Sequence, residues 1–143
     1  MDTLNGVSAL GTEDRLQIHQ LYADYAFAID LGEIETWLNY FTEDGELGWA
    51  PNESGAPARP SMKGHDALRA MAQNVGSGPV KGYHWNTNIS VTGTADGAAG
   101  RCFFMLVKEK AGTGEIGVVG YFQDELVKLD RGWVFRKRTM HSL

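Results

Sequence analysis

The chain has 143 residues, 43% hydrophobic and 22% charged, and its 13 Lys plus Arg against 18 Asp plus Glu give a net charge of −5. That length fits one domain able to bury a core and still hold a pocket. The acidic balance without a Lys/Arg block excludes the footprint of a nucleic-acid binder, and the lone Cys102 excludes a disulfide framework or Cys-rich metal site. No apolar run approaches the ~18–20 residues of a membrane-spanning helix. The start, Met1 to Gly6, lacks the basic and apolar segments of a signal peptide, so a cytoplasmic protein with no membrane partner is expected.

Residues 1–11 read as a loose arm on a single domain spanning 1–143. Thr12 is placed to cap a helix, with Glu13 and Asp14 in the first turn, where the helix dipole favours anions. Ile18, Leu21, Tyr22, Tyr25, Ala26 and Ile29 recur at i, i+3, i+4 spacing, and a second stripe of His19, Ala23, Phe27 and Asp30 runs beside them. Gly32 suits the left-handed residue that closes a helix. Ile34, Trp37, Leu38 and Phe41 repeat the spacing in a short helix, which Thr42-Glu43-Asp44-Gly45 ends as a turn. Glu46 to Ala50 reads as a short strand. Pro51 to Pro60 carries three prolines and reads as a loop placed to cover a site. A third helix follows over 65–75, with Leu68, Met71, Ala72 and Val75 on one side, broken by Gly76-Ser77-Gly78-Pro79.

From Tyr83 the pattern changes to strands. Tyr83–Thr92, Ala98–Lys110, Glu115–Leu129 and Trp133–His141 are rich in β-branched and aromatic residues, and Asp130-Arg131-Gly132 is a hairpin signal. Helices first and an antiparallel meander afterwards make an α+β chain, not an alternating α/β one.

P-loop, GxGxxG, GxSxG and HExxH motifs are absent, and His19, His65, His84 and His141 lack metal-ligand spacing, so neither metal nor cofactor is expected. Asp30 is the first informative residue. It sits in a helix's last turn, where the dipole disfavours a carboxylate by roughly 0.3–1 kcal/mol, and beside the apolar stripe. It is either a solvated helix end or a partly buried carboxylate that needs a partner. His84, at the start of the first long strand with Asn86 and Asn88 on its face, is either a core histidine or that partner. A carboxylate on one ring nitrogen would leave the other basic, and such a dyad moves a proton without a cofactor. Tyr25 lies one turn before Asp30 as a core residue or a donor into the same cavity. Trp49, Phe103, Phe104 and Tyr121 either pack the core or line that cavity.

The pattern resembles the SnoaL-like branch of the NTF2-like superfamily. The helix Ile18 to Asp30 ends in an Asp, Phe41-Thr42-Glu43-Asp44-Gly45 matches the family's F-x-x-D-G segment, and His84-Trp85-Asn86-Thr87-Asn88 its H-x-x-x-N strand. Phe122 to Leu126 followed by Asp130-Arg131-Gly132-Trp133 resembles the closing hairpin. The resemblance implies a cone-shaped α+β barrel (cystatin-like), three helices packed into a curved, mostly antiparallel sheet. It is closest to the lyases that include scytalone dehydratase, hexachlorocyclohexane dehydrochlorinase and bile acid 7α-dehydratase, in which an Asp–His dyad removes a proton as a leaving group departs. By motif position Asp30, His84 and Tyr25 would be the catalytic residues. The chain offers no second pocket histidine and no clear match to the dehydrochlorinase's further basic residue.

The expectation is therefore a cofactor-independent lyase for a small hydrophobic, aromatic or polycyclic molecule. Asp30 and His84 would meet in the largest pocket, and Trp49, Asn88, Phe103 and Tyr121 would contact the substrate. An isomerase or cyclase using the same dyad, and a non-catalytic ligand-binding protein, are the alternatives. Ile116, Val118 and Phe122 suggest an exposed sheet face, and the relatives form dimers or trimers through that face, so a homo-oligomer is expected.

Overall fold

A computed structural model describes residues 9–55, 57–76 and 81–143. The first helix, α1 (Thr12–Asp30), buries Ile18, Leu21, Tyr22, Tyr25, Ala26 and Ala28. Its cap differs from expectation. Gly11, extended at φ −67° and ψ 165°, is the N-cap, and Thr12 is already helical, so no side chain caps the end. Gly32 takes the left-handed conformation at φ +77° and lets the chain turn into α2 (Ile34–Leu38).

Thr42 to Gly45 is not the turn expected of it. These residues lie inside β1 (Phe41–Trp49), at the irregularity where its register against the last strand shifts between Phe41 and Glu46. Gly45 permits this, because a Cβ there would come within 2.7 Å of the Phe41 Cβ. After residues 50–61, which carry no helix or strand where described, β2 (Met62–Lys63) pairs with β1 and leads into α3 (His65–Gly76). The expected breaker Ser77-Gly78-Pro79 lies outside the described residues.

Four long strands complete the fold: β3 (Gly82–Gly93), β4 (Ala98–Lys110), β5 (Thr113–Leu129) and β6 (Gly132–Ser142). The six-stranded sheet runs β2-β1-β6-β5-β4-β3. Its one parallel pair, β1 with β6, joins the early strand to the final one; every other pair is antiparallel. The curled sheet and its three helices form the α+β architecture expected of the sequence. The helices cover one side of it, α1 against β3 and β6, and α3 against β1 and β2.

Period-2 alternation decides which strand residues meet the helices. Ala98, Gly100, Cys102 and Phe104 of β4 point inward, with Phe122, Asp124 and Leu126 of β5. Phe122 is thus a core residue, not part of an exposed face, whereas Ile116 and Val118 are exposed. Around Tyr25 the rings of Trp37, Phe41 and Phe135 lie 5.4–5.7 Å away, centroid to centroid. Edge-to-face pairs of this kind add about 0.5–1.5 kcal/mol beyond their area.

The core also contains a charge. Arg138 is fully buried, and its guanidinium donates to Asp124 twice, at 2.8 and 3.1 Å. The Tyr22 hydroxyl donates to the same carboxylate at 2.5 Å, and Tyr22 fits only because Gly100 has no side chain to meet that hydroxyl. Burial opposes the charge on Arg138, yet the facing Asp124 carboxylate holds it protonated beyond the usual arginine range. Removing one partner of such a pair strands the other. Asp124→Asn should therefore lower unfolding free energy by about 3–5 kcal/mol in urea melts, and replacing both Asp124 and Arg138 by leucine and methionine should cost less than the single change. A loss below about 1 kcal/mol for Asp124→Asn would contradict the buried-pair account.

Candidate active site

Asp30 ends α1 with only 8% of its side chain exposed, facing the start of β3. A carboxylate there opposes the helix dipole and loses hydration, and two hydrogen bonds offset both costs. The backbone N–H of His84 donates to Asp30 Oδ2 at 2.6 Å, and His84 Nδ1 lies 2.6 Å from Oδ1. An ionised carboxylate only accepts, so the Nδ1 contact requires its proton on the histidine. In the neutral ring Nε2 is then left with a free lone pair. The imidazole is 23% exposed, so it is held from one side and reachable from outside.

The expected meeting of Asp30 and His84, 54 residues apart in sequence, is present in the geometry. Its surroundings follow strand parity. The His84 ring lies 6.3 Å from Phe104, Phe104 lies 4.6 Å from Phe122, and the Arg138 guanidinium sits 4.0 Å from the Phe122 ring. A ring-lined floor thus runs from the dyad to the buried cation. Asn86, the next inward residue of β3, makes a long 3.5 Å contact to the Tyr22 carbonyl, and its buried Oδ1 has no partner among the described residues. Trp49 pairs with Met140 in the β1–β6 register, on the face that holds Arg138, and packs partly buried against the core.

Three other expected site residues lie elsewhere. Asn88 is exposed at the bulge between Thr87 and Ser90, with φ 56°, and its Oδ1 accepts from the Thr87 hydroxyl. Asn tolerates the left-handed conformation a bulge demands, which accounts for its presence there without a ligand role. Phe103 and Tyr121 are cross-strand partners on the outer face, so neither lines the dyad's side of the sheet. Tyr25 is on the correct side but contacts Trp37, Phe41, Phe135 and Arg138, not the dyad. Burial pushes its hydroxyl above the ordinary tyrosine range, so it is a donor at neutral pH.

A large surface groove among the described residues also departs from expectation. At about 610 Å³, it lies between α1 and the β5–β6 turn and is lined by Gln17, Asp24, Tyr40, Lys128 and Arg131. The second, about 450 Å³, adjoins His65. Neither is lined by Asp30 or His84. Among the described residues no three His, Cys, Asp or Glu side chains gather to hold a metal ion, and no helix is long and apolar enough to cross a membrane. Burial pushes the Cys102 thiol up to about 11, leaving it a poor nucleophile at neutral pH.

The sequence reading missed Arg138 and Asp124. Both stand in charged runs, Arg136-Lys137-Arg138 and Asp124-Glu125, where composition alone suggests solvent. Alternation from Leu126 back through Asp124 to Phe122 was the available signal for Asp124.

Comparison with known proteins places this geometry in context. The SnoaL-like domain pattern matches residues 11–139. The chain belongs to the SnoaL-like family. A protein of unknown function from Mycobacterium tuberculosis is similar at 27% identity and TM-score 0.81, over 93% of this chain and 78% of that one. A Novosphingobium aromaticivorans protein named a "putative aromatic ring hydroxylase" is similar at 29% identity and TM-score 0.77, over 94% and 92%. An NTF2-like protein with a cystatin-like fold from the same species shares the fold at 24% identity and TM-score 0.76, over 92% and 82%. No curated protein matches this chain.

The hydrogen bonds to Asp30 dictate a tautomer for this SnoaL-like domain. Nitrogen NMR of His84 at neutral pH should show the proton on Nδ1, and Asp30→Ala should release the ring to the Nε2–H form common in free histidine. An Nε2–H ring in the unaltered protein would contradict the assigned geometry.

Proposed function

We propose that this SnoaL-like protein is a cofactor-independent lyase that eliminates a small leaving group from an apolar, aromatic or polycyclic molecule. The observation that carries this reading is the two-point hold of Asp30 on His84, at 2.6 Å to the backbone N–H and 2.6 Å to Nδ1. It fixes ring orientation and tautomer, and so aims a basic Nε2 away from the carboxylate. In the proposed step Nε2 takes a proton from substrate carbon, the electrons of that bond form a double bond, and the leaving group departs with its pair. Asp30 stabilises the imidazolium, whose proton then passes to the leaving group or to water.

General-base catalysis supplies typically ~10²–10⁴-fold, enough for an activated substrate and too little for an unactivated bond, which favours elimination over hydrolysis. The aromatic floor at Phe104 and the partly buried Trp49 suit a flat apolar substrate. The words "aromatic ring" in the name of the Novosphingobium relative are consistent with an aromatic substrate. Tyr25, enclosed by Trp37, Phe41 and Phe135, supports that side of the sheet from the core in this reading, and Arg138 gives it a fixed positive charge.

One observation favours a second reading. The larger groove lies away from the dyad, as in a binding protein whose Asp30–His84 contact is a buried polar pair. Incubation with a panel of small aromatic and polycyclic alcohols and halides, read by mass spectrometry, separates these readings. A lyase gives a product lighter by the leaving group, an isobaric product indicates an isomerase or cyclase, and thermal stabilisation without turnover indicates a binding protein. His84→Ala should lower kcat/KM by about 10²–10⁴-fold with the fold intact. Full activity in both His84→Ala and Asp30→Asn would remove the dyad from the mechanism.

A further inference from the structure

Four side-chain atoms are buried without a hydrogen-bond partner among the described residues: Trp37 Nε1, Asn86 Oδ1, Arg138 Nη1 and His141 Nε2. Three have settings that the fold explains. Trp37 packs edge-to-face with Phe41 in the core, Arg138 already gives two bonds to Asp124, and His141 stacks on Tyr121 on the outer face. Asn86 is different because it stands beside the dyad. Alternation along β3 puts it on the face of His84, two residues and about 7 Å further on. Its cross-strand partner is Phe104, whose ring lies 6.3 Å from the His84 ring. A flat molecule resting on Phe104 therefore reaches both the imidazole and the amide.

The orientation of that amide is set by α1. Its Nδ2 points at the Tyr22 carbonyl at 3.5 Å, and exchanging the two amide atoms would set acceptor against acceptor. Oδ1 is thereby turned away from the helix with its lone pairs unused. An unpaired buried acceptor lowers stability, and an apolar residue of the same shape would not. The β3–β4 ladder at this rung needs no amide, since it is made by the backbone. Asn86 as a whole is only partly buried, its one contact is at the limit of hydrogen-bond length, and the torsion that turns the amide is soft. The oxygen is free to turn toward a ligand that brings it a proton. A hydroxyl does so, whereas a halogen offers none.

We infer that Asn86 selects the substrate by accepting from a hydroxyl on it, and that this hydroxyl is the group that leaves. The inference rests on the reading of His84 as the base. The substrate class is then a β-hydroxy ketone on an aromatic frame, in which the ketone supplies the C–H activation that a base of this strength needs. Nε2 takes the proton from the carbon between the ketone and the hydroxyl-bearing carbon. The C–H electron pair becomes the new double bond, and the C–O bond breaks with its pair on oxygen. The imidazolium proton then passes from Nε2 to that oxygen, which departs as water. With the hydroxyl hydrogen held on Oδ1, a lone pair of the same oxygen remains to receive that proton. A ligand without the hydroxyl leaves Oδ1 unpaired, and sites of this kind reject such analogues more strongly than apolar pockets do.

Two ketones that share one frame, 1-indanone and 3-hydroxy-1-indanone, test this with the full chain at neutral pH. In NMR titrations the hydroxy ketone should bind about tenfold or more tighter than 1-indanone. Asn86→Leu should bring the two affinities together and leave the urea midpoint unchanged or higher, because it removes an unpaired acceptor. Mass spectrometry should show the hydroxy ketone losing water to give indenone, with kcat/KM about tenfold or more lower in Asn86→Leu. His84→Ala should keep the binding preference and lose the dehydration. A preference that depends on Asn86 without dehydration by the wild type would uphold Asn86 as the hydroxyl acceptor and overturn the elimination. Equal affinities in the wild type, a preference that survives Asn86→Leu, or no binding of either ketone at millimolar concentration would each overturn the role of Asn86.

Discussion

Arg138 holds a full positive charge with no exposed side-chain surface, and the seating of α1 on the sheet depends on how that charge is compensated. Burying a lone guanidinium costs several kcal/mol, and only close hydrogen-bonded geometry recovers it. Asp124, opposite Arg138 in the β5–β6 register, supplies two bonds, and Tyr22 from α1 takes up a further lone pair of the same carboxylate. The rings of Tyr22, Tyr25, Phe122 and Phe135 surround the guanidinium at 4.0–5.1 Å. Two of those rings belong to the helix and two to the strands, so the charge fixes both the height and the rotation of α1. Asp30 lies five residues beyond Tyr25 on that helix, about 7.5 Å along its axis at the usual rise. A shift of α1 by one ångström would therefore lengthen both 2.6 Å contacts to His84 beyond hydrogen-bond reach or bend them. The electrostatics of the core and the geometry of the candidate site are one constraint.

Much of this was legible in the residues. The 3.6-residue spacing of Ile18, Leu21, Tyr22 and Tyr25 identified the buried face of α1, and the change of pattern after residue 80 marked the passage to strands. The partner of Asp30 was legible too, because a carboxylate at the negative end of a helix dipole beside an apolar stripe needs a donor. Two of the errors share a cause. Strand arguments rest on parity, and parity fails wherever one strand carries an extra residue. At Thr87–Ser90 a bulge turns Asn88 outward and restores Val91 to the core, so counting from His84 misplaces Asn88. At Phe41–Glu46 another absorbs Thr42 to Gly45 into a strand although their composition is that of a turn. Neither irregularity has a local signature strong enough to override the pattern around it.

The misassignment of Phe103 and Tyr121 has a different origin, and it concerns the distribution of charge between the two faces of the sheet. An antiparallel sheet with one wet side ordinarily reads apolar inward and polar outward. Here part of that order is inverted. Asp30, His84, Asn86, Asp124 and Arg138 all meet on the helix side, whereas three successive outward rungs carry no formal charge. Aromatic residues on β4 and β5 therefore gave no means of distinguishing cavity from outer face. Phe103 and Phe104 are adjacent, and both could be core residues by composition. The resolution is energetic. The inner face can afford ionised groups because each has a hydrogen-bonded counterpart within about 3 Å, the condition under which a buried charge is tolerated. The outer face needs no such pairing, and its apolar rungs would cost nothing in an environment that removed them from water. The alternation of single residues along β3, β4 and β5 thus keeps the paired ionised groups on one side of the sheet and the uncharged rungs on the other.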